Sequence, residues 1–390
     1  APIAHFRRAG RPLAAGRRPR SPGRVPFGIP VRGLAASPPP RRKGTSMFDG
    51  LRPDTGRAPR AQDRTLRSAA ELVSAGLLPG AARAEAEAVT ARYAVAVTPA
   101  VRALMDPSDP ADPIARQYLP DAAELRTAPG ETADPTADAP FSPVKGVVRR
   151  YPDRALLKPL LACPVYCRFC FRREAVGPDG GLLTEAELDA ALDWFARTPA
   201  VREAILTGGD PLMLSPRRLA RIVERLSAVP HIDIVRLHSR VPVADPGRAT
   251  PALLRALETE KALFLCVHAN HAREFSPEAR AALARLNRAG AALLGQSVLL
   301  RGVNDSAEAL EALFRAMLAA RVKPYYLHQL DRAPGTARFE VPIAEGRALL
   351  RELRGRVTGL AWPTYVLDVP GGGGKAPLGP DFARFEEGKW

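Results

Sequence analysis

The stretch LLACPVYCRFCFRREAVG, residues 160–177, holds three of the chain's four cysteines, Cys163, Cys167 and Cys170. It directly follows an apolar candidate strand at 155–161, and loops after the strands of parallel α/β folds carry the site. A structural zinc site normally has four ligands in two separated pairs, and no fourth ligand lies nearby in this sequence. Core packing explains one buried cysteine but poorly explains three in an Arg-rich loop. Three thiolates suit an iron–sulfur cube with one iron that lacks a protein ligand.

The overall composition is that of an ordinary globular protein. The 390 residues are 46% hydrophobic and 25% charged, and no apolar run is long enough to predict a membrane-spanning helix. Four cysteines, three of them within one short loop, do not form a disulfide framework. We therefore expect a reducing, cytoplasmic compartment.

The net charge of +16 is concentrated near the N-terminus. Eleven positive charges lie in residues 1–46, which contain no Asp or Glu, so the rest of the chain is only mildly basic. Nucleic-acid binding by the folded part is therefore not favoured. The Pro-, Gly- and Arg-rich composition of residues 1–46 predicts disorder. This leader fits an organellar transit peptide, a nucleic-acid tail or, as we favour, a misassigned start ahead of Met47.

Strand and helix patterns alternate through most of the chain. Apolar segments predict strands at 155–161, 203–207, 232–238, 262–268, 291–299 and 323–329, with a seventh short strand at 364–369. Helical stretches separate them near 184–197, 215–228, 250–260, 277–289, 306–320 and 342–354. This alternation predicts a parallel sheet, either a partial barrel or a doubly wound sheet. Ahead of it, residues 65–105 predict two helices separated at Pro79–Gly80, and residues 106–145 a loop that crosses the surface.

Polar residues collect where the predicted strands end. The four groups are TGGDP (207–211), HSR (238–240), HANH (268–271) and HQLD (328–331). Because the carboxyl ends of parallel strands meet at the same edge of a sheet, we expect one face to hold the chemistry.

The spacing C-x₃-C-x-aromatic-C, with Phe169 as the aromatic residue, resembles the radical S-adenosylmethionine (SAM) superfamily. The resemblance implies an α/β fold with a partial (β/α)₆ TIM-like barrel and a [4Fe–4S] cluster on the three cysteines. SAM would chelate the open iron and yield a 5′-deoxyadenosyl radical on reduction. The segment TGGDPL is similar to the family's second-strand motif, which implies SAM contacts at Gly208, Gly209 and Asp210.

A second unusual stretch is DVPGGGGKAPLG, residues 368–379. Its four consecutive glycines allow a close approach of the backbone to a ligand. A phosphate loop requires Ser or Thr after the lysine, but Ala376 follows Lys375. The remaining interpretations are a flexible linker and a lysine that forms a Schiff base with an aldehyde cofactor.

Several segments together resemble the lysine 2,3-aminomutase family over residues 145–378. They are RRYPDR, CRFCFRRE, GGDPL, HSRVPV, QSVLLRGVND, PYYLHQLD and PGGGGK. The resemblance implies an isomerase that holds pyridoxal 5′-phosphate (PLP) on Lys375. Arg150 and Arg154 match residues near the PLP phosphate, which suits the bidentate guanidinium. It also implies SAM contacts at His268 and Gln296.

The same resemblance implies the substrate contacts. Arg172 matches the residue that pairs with the substrate α-carboxylate. Asp331 and Asp368 match two aspartates that receive the side-chain ammonium of lysine, a charge that needs compensation when buried. The implied reaction moves the α-amino group of L-lysine to the β-carbon and gives β-lysine.

Four regions follow from these assignments. We predict a disordered basic leader (1–46), an N-terminal helical region with its connecting loop (47–145), a radical SAM partial barrel (146–330) and a C-terminal PLP- and substrate-binding segment (331–390). An electron donor such as flavodoxin or ferredoxin is the expected protein partner, and a homo-oligomer is compatible with the sequence.

Two departures separate the chain from the better-known branch of the family. It ends at Trp390, shortly after Lys375, and Ser306 stands where that branch has a zinc cysteine. The resemblance therefore implies a short form without the C-terminal zinc-binding extension, similar to the branch that makes (R)-β-lysine for elongation factor P. Other readings of the sequence are a radical SAM enzyme acting on RNA or a peptide and an electron-carrying cluster protein, which usually needs four cysteine ligands.

Overall fold

The computed structural model describes residues 64–178 and 180–382. The chain divides into two units, Ala1–Gly50 and Leu51–Trp390, and all described residues belong to the second. The leader predicted to be disordered, residues 1–46, lies outside the described residues.

The described residues form one sheet whose strands pair in chain order. The strands are β1 (Val147–Val148), β2 (Arg154–Leu160), β3 (Glu203–Gly208), β4 (Ile234–Ser239), β5 (Ala262–His268), β6 (Ala292–Val298), β7 (Lys323–His328), β8 (Thr364–Val369) and β9 (Gly374–Pro377). Strands β2 to β8 are parallel, whereas β1 and β9 run antiparallel to their neighbours at the two ends of the sheet. A doubly wound sheet reverses its strand order at a switch point. This order does not reverse, so the prediction of a partial barrel is confirmed.

Helices connect each parallel strand to the next. The described helices are α1 (Ala69–Ser74), α2 (Arg83–Arg92), α3 (Pro99–Arg102), α4 (Ala115–Tyr118), α5 (Glu185–Ala196), α6 (Pro216–Ser227), α7 (Val241–Ala244), α8 (Pro251–Arg255), α9 (Pro277–Arg288), α10 (Ala307–Ala319) and α11 (Ile343–Leu353). The crossover helices bury one apolar face, as Leu188, Leu192 and Phe195 of α5 illustrate. Five of the six predicted crossover helices agree to within two residues. The sixth, α8, ends at Arg255 instead of continuing to 260. No helix of the described residues is long and apolar enough to cross a membrane.

Side-chain caps fix where the crossover helices begin. Thr184 accepts a hydrogen bond from the Glu187 amide at 3.2 Å and begins α5. Ser306 accepts one from the Ala309 amide at 3.1 Å and begins α10. Such caps satisfy backbone donors that the first helical turn leaves unpaired. The serine noted in the sequence at 306 therefore has a local structural use.

The N-terminal region differs from its prediction in two respects. First, the second predicted helix does not continue to residue 105, because α2 ends at Arg92. The chain then becomes extended, and Leu66 and Val97 form an antiparallel bridge. Thr98 accepts a hydrogen bond from the Val101 amide and begins the separate short helix α3.

Second, residues 106–145 are not a loop that merely crosses the surface. They are irregular apart from α4 and two short 3₁₀ turns, yet Ile114, Tyr118 and Glu124 are all fully buried. Glu124 lies against Arg168 of the cysteine loop, with a Glu124 Oε2–Arg168 Nη2 distance of 2.5 Å. A carboxylate of this segment can be buried because arginines of the cysteine loop pair with it and compensate its charge.

Candidate active site

One face of the sheet borders a cavity of about 530 Å³. Alternate residues of a strand, such as Glu203, Ile205 and Thr207 of β3, line it, as expected for one sheet face. All fourteen residues predicted to form the site line this same cavity: Arg150, Arg154, Cys163, Cys167, Cys170, Arg172, Gly208, Gly209, Asp210, His268, Gln296, Asp331, Asp368 and Lys375. The structure therefore brings the cysteine loop and Lys375 to a common space.

The three cysteines lie in the loop after β2 and are free thiols. Burial raises the pKa of Cys170 to about 11, and Arg240 donates a hydrogen bond from Nη1 to Cys167 Sγ at 2.9 Å. Among the described residues no group of His, Cys, Asp or Glu is compact enough to hold a single metal ion. The three thiols are close enough to raise one another's pKa, and the Arg240 guanidinium can compensate negative charge at their sulfurs, so they fit an iron–sulfur cluster.

The arginines that flank the cysteines have two separate uses. Arg168 donates from Nε to both Glu124 carboxylate oxygens, at 3.0 and 2.9 Å, and Arg173 pairs with the same carboxylate. All three side chains are buried. This ion group attaches the cysteine loop to the N-terminal region, whereas Arg172 turns towards the cavity.

The glycine pair after β3 lets two backbones approach closely. The Gly209 amide donates to the Leu160 carbonyl at 2.8 Å, and the Asp210 amide donates to the Ala162 carbonyl at 2.9 Å. A Cβ at Gly209 would lie 2.3 Å from the Ala162 oxygen, so a side chain is excluded there. The glycines therefore hold the end of β3 against the backbone just before Cys163.

The Asp210 carboxylate is already engaged within the protein. It accepts hydrogen bonds from Ser239 Oγ at 2.8 Å and from the amides of Leu212, Arg240 and Val241. These bonds join the ends of β3 and β4. The predicted SAM contact of Asp210 remains a prediction, and its side chain has a structural use in any case.

His268 and Gln296 are register partners on β5 and β6. The Nε2 atom of His268 is buried and has no hydrogen-bond partner among the described residues. Burial also lowers the pKa of His268 well below its ordinary value, so the ring is neutral. A neutral buried ring nitrogen at a cavity wall fits a ligand contact. The Gln296 Oε1 atom accepts a hydrogen bond from Cys266 Sγ at 3.3 Å.

Lys375 lies on β9, directly across the antiparallel pair from Asp368 on β8. Its Nζ atom is 2.7 Å from each Asp368 carboxylate oxygen, and His328 Nδ1 lies 3.5 Å from Asp368 Oδ2. Burial acts to raise the pKa of Asp368, but His328 and Lys375 outweigh it and hold the pKa well below the ordinary value. The glycine run was not predicted to contain a strand, and this hairpin is what turns Lys375 into the cavity.

Asp331 lies near this pair but is not bonded to it. Its carboxylate accepts no hydrogen bond from the described residues, and burial together with the charge of Asp368 raises its pKa to about 7. A cation placed beside Asp331 would stabilise the ionised form of its carboxyl group.

Tyr151 connects Lys375 to the arginines of RRYPDR. The Lys375 amide donates to the Tyr151 hydroxyl at 2.7 Å, and the Arg154 guanidinium lies 3.6 Å from the Tyr151 ring centroid. The Nε atom of Arg150 is buried and has no partner among the described residues. An amine with arginine donors available nearby fits an aldehyde cofactor that carries a phosphate.

Several further side chains line or support the cavity, although no sequence motif assigned them to it. Asp138 pairs with Arg150, Lys158 and Arg172. Arg240, His238 and His328 belong to the strand-end groups HSR and HQLD, which marked the right place without assigning these residues. Burial lowers the pKa of both histidines, and His238 Nε2 has no partner in the described part of the chain. Nothing in the local sequence around Asp138 pointed to the site.

The chain is similar to known proteins over most of its length. Residues 157–314 match the family model described as the radical SAM superfamily, and residues 350–384 match the model described as lysine-2,3-aminomutase. L-lysine 2,3-aminomutase of Clostridium subterminale is 41% identical over 288 residues, which cover 74% of this chain and 69% of that protein. L-lysine 2,3-aminomutase of Escherichia coli K12 is 40% identical over 70% of this chain and 80% of its own length. Glutamate 2,3-aminomutase of Clostridioides difficile is 34% identical over 75% of this chain and 69% of its own length.

These matches cover both the barrel and the hairpin that carries Lys375. Enzymes of this kind use a [4Fe–4S] cluster, SAM and PLP. The chain belongs to the lysine 2,3-aminomutase family of radical SAM enzymes and is an aminomutase, that is, an isomerase.

Proposed function

We propose that this aminomutase acts on L-lysine and moves its α-amino group to the β-carbon, giving β-lysine. One hydrogen moves in the opposite direction, so substrate and product have the same composition. The observation that carries the proposal is the pair of carboxylates, Asp331 and Asp368, that faces the cavity together with Lys375.

The contacts of Asp368 favour a substrate that carries an ammonium group in its side chain. Its two oxygens hold the Lys375 ammonium at 2.7 Å, so this carboxylate binds a lysine-type cation in the protein itself. Lys375 cannot keep its ammonium there while it holds an aldehyde, so Asp368 then becomes free for a second ammonium. Asp331, with a pKa raised to about 7, adds a second acceptor whose ionisation a cation would favour.

The same carboxylates disfavour glutamate as the substrate. Glutamate is the amino acid in the name of one relative, glutamate 2,3-aminomutase. A glutamate side chain would bring a third carboxylate beside Asp331 and Asp368. Like charges in a buried space disfavour each other, and the Lys375 ammonium is already paired with Asp368. L-Lysine is therefore the better match.

The cofactor contacts are proposed for residues whose geometry is compatible with them. The cluster would be held by Cys163, Cys167 and Cys170, SAM by Gly208, Gly209, Asp210, His268 and Gln296, and PLP by Lys375, Arg150 and Arg154. When bound, these groups supply a radical that removes and returns a hydrogen and a carrier for the migrating nitrogen. The protein's own residues orient the substrate and hold protons.

Two residues have defined tasks in this scheme. Arg172 would bind the substrate α-carboxylate, and its terminal nitrogens make no hydrogen bond to the described residues. Before the cofactor is loaded, Asp368 Oδ1 and Oδ2 hold the protonated amine of Lys375, because both lie 2.7 Å from Nζ. The substrate would thus lie with its carboxylate at Arg172 and its side-chain nitrogen at the aspartates.

Three broader features remain part of the proposal. The redox chemistry requires an external electron donor, such as flavodoxin or ferredoxin. Free buried thiols are compatible with a reducing, cytoplasmic compartment. A homo-oligomer is compatible with a cavity that residues of one chain line.

The test is product analysis under anaerobic conditions. Protein reconstituted with iron and sulfide, loaded with PLP and SAM and reduced with dithionite is incubated separately with L-lysine and L-glutamate. We expect β-lysine as the main product by mass spectrometry after chiral derivatisation, and none with Lys375→Ala. Formation of β-glutamate without β-lysine would overturn the substrate assignment.

A further inference from the structure

Asp138 is a buried carboxylate surrounded by three cations of the candidate site. It lies 2.9 Å from Arg172 Nε and 3.2 Å from Lys158 Nζ, and it also accepts a hydrogen bond from Arg150 Nη2. It is 7% exposed. Burial acts to raise the pKa of Asp138, but the charges of Arg172, Lys158 and Arg150 outweigh it and hold the pKa well below its ordinary value. Asp138 is therefore a permanent anion between the residues proposed to bind the cofactor phosphate and the substrate carboxylate.

The contact with Arg172 uses only one side of the guanidinium. Asp138 accepts from Nε, and neither terminal nitrogen of Arg172 donates a hydrogen bond within the described residues. A planar guanidinium binds a carboxylate best through two parallel hydrogen bonds. The bond from Nε to Asp138 fixes the plane of the group and leaves its outer edge for such a pair.

Arg150 shows the same division of its donors. Nη2 donates to Asp138, whereas Nε is buried and lacks a partner in the described part of the chain. A buried donor without a partner is costly unless a ligand satisfies it. Asp138 thus orients two guanidinium groups while each keeps donors for a bound anion.

The backbone around Asp138 is itself held in place. The Asp138 and Ala139 amides donate to the Asp134 carboxylate at 2.9 and 3.0 Å. Thr136 Oγ1 donates to Asp138 Oδ1 at 3.4 Å. A side chain mounted in this way can orient its partners, because its own position is set by other contacts.

We propose that Asp138 is a positioning residue that orients Arg172 for the substrate α-carboxylate and Arg150 for the cofactor phosphate. It removes the mutual repulsion of three neighbouring cations and aims their free donors into the cavity. The proposal rests on the proposed function for the identity of the substrate, but it concerns the carboxylate that every α-amino acid carries. An alternative effect has the opposite sign: if Asp138 merely competed with incoming anions, its removal would tighten their binding.

The experiment measures ligand binding rather than turnover. Asp138→Asn and wild-type protein, both loaded with cluster, PLP and SAM but without reductant, are titrated with L-lysine and with 1,5-diaminopentane. The diamine is lysine without its carboxylate. Difference spectra of the bound PLP report amine binding, and the cluster absorbance cancels. The matched control is Asp189→Asn, which neutralises a carboxylate that also contacts two arginines, Arg221 and Arg225, on the outer helices.

We expect Asp138→Asn to weaken L-lysine binding at least tenfold and diamine binding less than twofold, with PLP affinity also reduced. Asp189→Asn should change neither ligand. Unchanged or tighter lysine binding in Asp138→Asn, or equal losses for both ligands, would overturn the proposal. If Asp138→Asn does not fold, the double variant Lys158→Gln/Asp138→Asn is compared with Lys158→Gln. The quantity compared is the ratio of L-lysine affinity to 1,5-diaminopentane affinity.

Failure of the substrate assignment is distinguishable from failure of this inference. If the wild-type protein binds glutamate and not lysine, the same ratio is measured with L-glutamate and 4-aminobutyrate, its decarboxylated counterpart. A carboxylate-specific loss in Asp138→Asn then still supports the positioning role, although the lysine proposal is wrong. A ratio equal to that of the wild type rejects the positioning role whichever amino acid binds.

Discussion

The two ends of the cavity carry opposite charge and are compensated in different ways. At one end Arg150, Lys158 and Arg172 share a single carboxylate, Asp138. At the other end Asp368 pairs with the Lys375 ammonium, whereas the Asp331 carboxylate has no bonded partner among the described residues. Arginine hydrogen-bond donors therefore remain free for a ligand at the first end, and a carboxylate acceptor remains free at the second. The difference supports the proposed ligand, which has a carboxylate at one end and an ammonium at the other.

The two ends also differ in whether the protein group that neutralises their charge stays in place when a ligand binds. Asp138 is fixed by its own backbone contacts and stays with the arginines whether or not a ligand is bound. Under the proposed function the Lys375 ammonium is a temporary partner of Asp368, because we propose that the same nitrogen binds the aldehyde cofactor. The anionic end therefore becomes available only after cofactor loading, whereas the cationic end is prepared beforehand.

Loss of a carboxylate at the anionic end should have the largest effect. In PLP-loaded Asp368→Asn we expect weaker L-lysine binding by about 2–5 kcal/mol, roughly 30- to several-thousandfold, because a buried ammonium loses its partner. Titration by difference spectra at saturating PLP measures it. Asp189→Asn on the outer surface is the control, and a loss below about threefold would remove Asp368 from the substrate site.

A smaller loss is expected at the cationic end. Arg172→Gln keeps a donor but loses the charge and the two-bond geometry, which costs about 1.5–3 kcal/mol, or roughly ten- to 150-fold in lysine affinity. The loss should be confined to ligands with an α-carboxylate. Equal weakening of 1,5-diaminopentane binding would show that Arg172 acts on the shape of the cavity and not on the carboxylate.

The titration of Asp331 adds a pH dependence to the anionic end. Burial and the charge of Asp368 raise its pKa to about 7, and only the ionised acid attracts an ammonium. Lowering the pH from about 8 to about 6 should therefore weaken lysine binding about tenfold through this group. Asp331→Asn should lose this component while keeping any dependence that comes from lysine itself. Parallel pH profiles for the two proteins would contradict the assignment.

The sequence predicted the parts of this arrangement that lie in contiguous motifs. The parallel strands were identifiable because apolar segments alternate regularly with capped helices, and the cysteines, the Gly208–Gly209 turn and Lys375 each stand in a distinctive local pattern. The strand β9 was missed because glycines disfavour strands, and only pairing with β8 makes this segment extended.

The carboxylates of residues 106–145 were missed for a different reason. Glu124 and Asp138 lie in an irregular, Pro- and Asp-rich segment whose composition is that of an exposed loop. Their burial depends on arginines that follow later in the chain, between Arg150 and Arg173, and tertiary pairing of this kind leaves no periodic signal. The cationic half of the site could be recognised from the sequence, but the anion that organises it could not.

Tyr151 links the two ends, and its removal should have the smallest effect of these changes. It follows Arg150 directly, while its hydroxyl accepts the Lys375 amide at 2.7 Å. Tyr151→Phe keeps the ring against which Arg154 packs and removes only this hydrogen bond. We expect a loss of about 0.5–1.5 kcal/mol, roughly two- to tenfold in PLP affinity, because the amide is half-buried and water replaces part of the bond.

Fluorescence titration of the apoprotein with PLP measures this loss, and Tyr325→Phe provides a control with another cavity tyrosine. Since Tyr151 orients Lys375 and not the carboxylate subsite, the ratio of lysine to 1,5-diaminopentane affinity should stay at its wild-type value. A changed ratio would mean that the two ends are mechanically coupled through this residue, and the separate treatment of the cationic and anionic ends would then be wrong.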